Sequence, residues 1–170
     1  YGAATLPITT EIAVVPGFTW YHFPRAEAAL GFYRQLFEPS LAVTYTRPGF
    51  RLTPKLYYDV VREGLTAEVS AFYAMPLTRW GTELDFTVTA GTYLWRDAVK
   101  SSTMGTKNWG DYGSAGVAMP YQITGSGRIT LGVAYVKGTN NYFKTGSSPR
   151  VRNPAAVGRG VVSLFYTHEF

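Results

Sequence analysis

The chain holds two histidines, His22 and His168, and no cysteine, so its stock of metal-seeking or strongly nucleophilic side chains is small. A hydrolytic triad needs a histidine within hydrogen-bond reach of a serine and of an orienting carboxylate. His22 is followed by Phe23-Pro24, His168 stands two residues before the end of the sequence, and neither has such partners at a suggestive spacing. Zinc-type chemistry lacks ligands, because cysteine is absent and the two histidines are far apart. Gly125-Ser126-Gly127 reads as a turn with no phosphate-loop pattern around it. No enzyme, metal site or cofactor is expected. What remains is charge: Arg51, Lys55 and Asp59 at every fourth position of one segment, Glu68 and Asp85 on the next two, and a basic stretch with Lys144, Arg150 and Arg152 and no acid between Thr139 and Val157.

The segments that carry these charges alternate. Large apolar residues fall on every second position of eight runs: Ile12 to Trp20, Leu41 to Tyr45, Leu52 to Val60, Leu65 to Met75, Leu84 to Leu94, Ala115 to Tyr121, Ile129 to Tyr135, and Val162 to Phe170. The opposite positions hold Ser, Thr, Gly and Ala together with Arg51, Lys55, Asp59, Glu68 and Asp85. A period of two is the signature of a strand with unlike faces. With 170 residues, 16% charged against roughly 25% in soluble domains, 16% aromatic and 18 Gly, the chain has one domain's length and little surface charge. No stretch approaches the roughly 20 apolar residues of a spanning helix, so a membrane would be crossed by strands. The net charge of +5 is scattered and builds no stripe for nucleic acid.

Connections between the runs sort by length. Those over Phe23–Leu36, Arg96–Trp109 and Thr139–Val157 are long, and Arg62-Glu63-Gly64 on the same side is tight. Those over Arg47–Phe50, Pro76–Thr82 and Gln122–Gly127 are short, which is the asymmetry of extracellular loops against periplasmic turns. Together these features predict one domain over 1–170: an all-β, transmembrane, antiparallel up-and-down β-barrel of about eight strands, with both chain ends on the short-turn side. In the first long connection Ala26, Leu30, Tyr33 and Phe37 stand at helical spacing, which predicts a short helix there or an irregular loop. Pro16 in the middle of the first run predicts a bulge or an edge, whereas Pro54 and Pro120 fall nearer strand ends.

The order Thr10-Glu11-Ile12, Trp20-Tyr21-His22-Phe23-Pro24, Leu52-Thr53-Pro54, Tyr57-Tyr58-Asp59-Val60 and Ala74-Met75-Pro76-Leu77 resembles the later part of the TorF-like porin family of Gram-negative outer-membrane barrels. These motifs are short; family members also carry an earlier region with a Tyr-Val-Trp-Arg-Gly-type strand, and nothing matching it precedes Tyr1, so the resemblance implies either the back portion of a larger barrel or a smaller relative complete in itself. The resemblance implies a passive channel in the cell outer membrane, contact with membrane lipids, and delivery by the outer-membrane assembly machinery, for which the terminal Phe170 would be the signal. A chain ending in an aromatic on an alternating strand fits that role.

For the inward charges, a turn centred on Arg62 and Glu63 sets Val61 opposite Gly64, Tyr57 opposite Glu68 and Lys55 opposite Ser70, leaving Lys55 and Glu68 as diagonal neighbours. In a barrel of about eight strands side chains suffice to fill the interior, so Arg51, Lys55, Asp59, Glu68 and Asp85 form a polar plug. In a wider barrel the same residues line a channel and set its ion preference. The basic loop with Lys144, Arg150 and Arg152 suits lipopolysaccharide phosphates, or is simply a solvated loop. Two other functions stay open: a closed barrel whose loops bind a partner, and a soluble carrier with its apolar face inside. The second fits less well, since the charged residues sit on the face with the smaller side chains.

Overall fold

A computed structural model describes residues 1–25, 34–61, 63–95, 108–139 and 158–168. Its strands are β1 (Gly2–Ala3), β2 (Leu6–Pro7), β3 (Ile12–His22), β4 (Gln35–Arg47), β5 (Phe50–Asp59), β6 (Gly64–Leu77), β7 (Thr82–Trp95), β8 (Asn108–Gln122), β9 (Gly127–Thr139) and β10 (Arg159–His168). All belong to one antiparallel sheet in which β3 through β10 follow one another in chain order. The eight alternating runs are therefore the eight long strands of an up-and-down sheet. The possible helix over Ala26, Leu30 and Tyr33 lies outside the described residues; Phe37, its last member, is in β4, which already begins at Gln35.

The sheet is not closed. Gly2↔Phe18, Ala3↔Gly17, Leu6↔Val14 and Pro7↔Ala13 are in one continuous register, so residues 2–7 form an interrupted strand along the outer edge of β3. The turn back into β3 is fixed by Thr9, whose hydroxyl accepts from the amides of Glu11 (3.2 Å) and Ile12 (3.0 Å). The chain start thus lies near the loop-side end of β3, not on the short-turn side expected for both termini. Pro16 causes no bulge, since β3 pairs with β4 without a break from Ile12↔Tyr45 to His22↔Gln35. Its carbonyl accepts from the Ala4 amide, so its missing N–H faces residues 2–7, and the interruption between β1 and β2 falls there. Pro54 is the more disruptive proline: the β4–β5 ladder skips from Ala42↔Lys55 to Tyr45↔Leu52 around it.

Short turns carry the local signals that shape them. Gly49 (φ 72°) closes the Arg47↔Phe50 hairpin, and Gly81 (φ 62°) ends the single 3-10 turn Thr78–Trp80 between β6 and β7. A row of paired residues, Ile12, Tyr45, Leu52, Ala71, Val88, Ala115, Tyr135 and Gly160, runs from the turn-side end of β3 to the loop-side end of β10. Such a stagger is what tilted strands need if a sheet is to curl toward a barrel.

The two faces are unlike. Every well-buried side chain among the described residues sits on one face: Leu36, Ala42, Asp59, Thr66, Tyr93 and Pro120. No second layer covers either face among the described residues, so burial on one side alone records a curved sheet with that side concave. The convex face exposes Leu41, Val43, Leu56, Val69, Val88, Leu131, Val133 and Leu164. These residues recur on six of the eight long strands, whereas a soluble monomer rarely exposes a contiguous apolar patch above a few hundred Å².

Candidate functional site: the concave face

Glu68 is the centre of the concave face. The hairpin from β5 to β6 pairs Asp59 with Gly64, so four residues, Val60 through Glu63, make the turn. Asp59 accepts the Val61 amide at 2.9 Å, and Glu63 takes φ 51°. The register is therefore two residues away from the sequence expectation, and Lys55 lies directly opposite Glu68 instead of diagonal to it. A two-residue turn at Arg62-Glu63 would give the expected register; the aspartate cap and the left-handed Glu63 favour the longer one.

Direct opposition does not produce an ion pair. The Lys55 ammonium lies 4.3 Å from the centroid of the Tyr57 ring, a cation–π contact. Hydroxyls surround Glu68 instead: Tyr112 donates to Oε2 at 2.6 Å, Tyr57 to Oε1 at 3.1 Å, and Ser70 to Oε1 at 3.4 Å. Ser70 Oγ is also 3.1 Å from Thr89 Oγ1, which links β6 to β7. Hydrogen bonds to an ionised acceptor are shorter and stronger than neutral ones, so the Tyr112 contact anchors the group.

Tyr112 reaches Glu68 from two strands away because Gly91 lies under its ring. Gly91 and Tyr112 are paired across β7 and β8, and a Cβ on Gly91 would overlap the tyrosine ring. The reciprocal pair, Tyr93 over Gly110, follows two residues along. Each tyrosine lies flat over a glycine of the neighbouring strand, which covers exposed backbone and aims the hydroxyl along the wall. Gly91→Ala is expected to lift Tyr112 off the wall, break its bond to Glu68 and cost about 1–3 kcal/mol as overpacking. Gly113→Ala, where a Cβ meets only the Thr89 carbonyl at 3.5 Å, is the matched control, and denaturant midpoints of the two variants check the difference.

The remaining charges stand apart from this cluster. Arg51 lies over the Phe72 ring, 5.3 Å from its centroid, in the turn-side half. Asp59 is at the loop-side end of β5 and only 3% exposed. Asp85 Oδ1 is buried without a hydrogen-bond partner. The five inward charges thus share one face and are spread along it from the turn side to the loop side. The described ion pair, Arg47 with Glu11 at 3.4 Å, is half-exposed at the turn-side rim. Among the described residues no group of His, Asp and Glu is arranged to hold a metal. Lys144, Arg150, Arg152 and Phe170 lie outside the described residues.

On the convex face the residue types are layered. Tyr45, Tyr73, Phe86, Tyr121 and Tyr166 occupy the turn-side part of β4, β6, β7, β8 and β10, while Trp20, Phe37, Tyr58 and Tyr135 occupy the loop-side part of β3, β4, β5 and β9. Between them lie aliphatic residues: Leu41, Val43, Leu52, Leu56, Val69, Val88, Leu131, Val133 and Leu164. Period-two counting sees that these positions are apolar; only their placement along each strand separates ring from aliphatic chain. Comparison with protein-family profiles, with characterised proteins and with solved structures returns no match.

Proposed function

We propose that the chain is an integral outer-membrane β-barrel whose concave polar face forms the lumen of a porin-like passive channel. The observation that carries the reading is the layering of the convex face, an aliphatic band between two aromatic levels, because aromatic rings favour the two membrane interfaces and aliphatic chains the hydrocarbon between them. The alternative of a soluble carrier would need this face inside and the charged one out, the reverse of the curvature. The outer-membrane location and the TorF-like channel activity rest on the resemblance of the sequence motifs and on this layering. In the barrel, antiparallel closure brings β10 against β3 or against a further strand between them; residues 2–7 run parallel to β10 and cannot pair antiparallel with it.

A second reading, a closed barrel that acts through its loops, is favoured by one observation: Tyr57, Glu68, Tyr93 and Tyr112 crowd the loop-side half of the concave face. Planar-bilayer recording on the purified, detergent-folded protein separates the two. Steady conductance supports the channel, and a folded, silent barrel supports the closed form. Heat-dependent mobility on gels is expected in either case, with circular dichroism dominated by strand. A monomer that stays folded and soluble without detergent would remove the membrane reading altogether.

A further inference from the structure

We infer that the turn-side half of the concave face is a binding cup for a small organic anion, a carboxylate on an apolar body, held by Arg51. The inference deepens the porin-like reading by naming a solute class, though binding itself requires only the curved sheet. A cavity of about 550 Å³ lies here, and five strands contribute to it, from β3 to β7. Its polar wall is made of Ser70 and five threonines, Thr5, Thr44, Thr46, Thr53 and Thr87, with Arg51 as its charged member and no carboxylate among the lining residues. Glu68, the nearest acid along β6, has its oxygens engaged by Tyr57, Ser70 and Tyr112.

Arg51 is prepared for a ligand. Its guanidinium carbon lies over the Phe72 ring, a contact that uses no N–H, and among the described residues Arg51 has no ion pair and no side-chain hydrogen bond. Its fork of donors is thus available for a planar, bidentate acceptor, which a carboxylate supplies. Several features make the ligand organic and not a bare inorganic ion. The wall holds one cation only, the space far exceeds that of a single small ion, and Phe72, Val15, Ala13 and the threonine methyls offer apolar contact. Hydroxyls and methyls together suit a short amphipathic acid held weakly enough to leave.

The test uses 4-fluorobenzoate as the probe and 4-fluorobenzamide as its neutral counterpart, titrated by ¹⁹F NMR into the full chain folded in zwitterionic micelles. The benzoate should bind in the millimolar range and at least about tenfold more tightly than the benzamide. Arg51→Gln should weaken the benzoate about tenfold and leave the benzamide unchanged, and Arg51→Lys should fall between, keeping charge without the fork. Equal binding of the two probes by the parent chain overturns the inference even if the variants fail to fold, as does an unchanged titration in Arg51→Gln. Circular dichroism and heat-dependent mobility on the same samples keep the two readings apart: a folded barrel that ignores benzoate ends the cup alone. A chain that proves soluble ends the membrane reading, and the same titration in buffer still decides the cup.

Discussion

Val88→Arg should abolish or nearly abolish recovery of folded protein in bilayers, with a loss of about 2–4 kcal/mol in denaturant unfolding from lipid, the range for a cation at the midplane of a lipid-facing strand. Val88 is 54% exposed on the convex face of β7, paired with Ala71 and Ala115 in the aliphatic band. Its chain neighbour Thr87 points to the opposite, cavity-lining side, so Thr87→Arg places the same charge one residue away in a hydroxyl-lined, water-accessible space. That variant should lose less than about 1 kcal/mol, because water solvates the guanidinium there. Unfolding curves of both variants in the same vesicles decide the matter. Were the convex face open to water, Val88→Arg would be neutral or solubilising and the order of the two effects would vanish. No feature of the strands themselves could then account for so large an unpartnered apolar surface.

The alternation that underlies this contrast was legible in the sequence, because a period of two depends only on residue type and spacing. All eight runs became strands, and the assignment of Arg51, Lys55, Asp59, Glu68 and Asp85 to the face opposite the apolar one follows from parity alone. Strand ends were less legible: β4 starts at Gln35, well before the alternating run that opens at Leu41, because Gln35, Glu38 and Pro39 blur the pattern. Residues 2–7 were missed for a similar reason, since Gly2-Ala3-Ala4-Thr5 has no alternation to detect and pairs only because the Thr9 turn folds it back. The Glu68 cluster was half visible. Lys55 and Glu68 were expected to be near each other, but which group satisfies the carboxylate depended on the Asp59-capped turn and on Gly91 and Tyr112 falling opposite one another. Neither can be weighed before the register is known. The Tyr93–Gly110 and Tyr112–Gly91 pairs do leave a trace, a glycine followed two residues later by a tyrosine on each of two neighbouring strands, which antiparallel pairing turns into rings over glycines.

Glu68→Ala is expected to cost about 2–4 kcal/mol, most of it from the charge-assisted Tyr112 bond and the remainder from leaving the Tyr57 and Ser70 hydroxyls without their acceptor. The cost is not that of a broken buried ion pair, since Lys55 rests on the Tyr57 ring and loses no carboxylate partner. The origin of the loss can therefore be separated by substitution. Glu68→Gln keeps a carbonyl acceptor for one tyrosine and should lose about half as much, whereas Tyr112→Phe removes only the 2.6 Å donor and should account for about 1.5–3 kcal/mol on its own. In the double variant Glu68→Ala with Tyr112→Phe the two losses should fall well short of adding, because both remove the same bond. Full additivity in urea unfolding would show that the carboxylate and the tyrosine act independently, and the cluster would then be no anchor. The same proteins separate channel from closed barrel by a second readout. In a conducting lumen Glu68→Ala and Glu68→Gln each remove one negative charge, so reversal potentials should shift toward anions by the same amount despite their unequal stabilities. A silent parent whose Glu68→Ala variant begins to conduct would instead mark the tyrosine and glutamate cluster as the barrier that keeps the barrel shut.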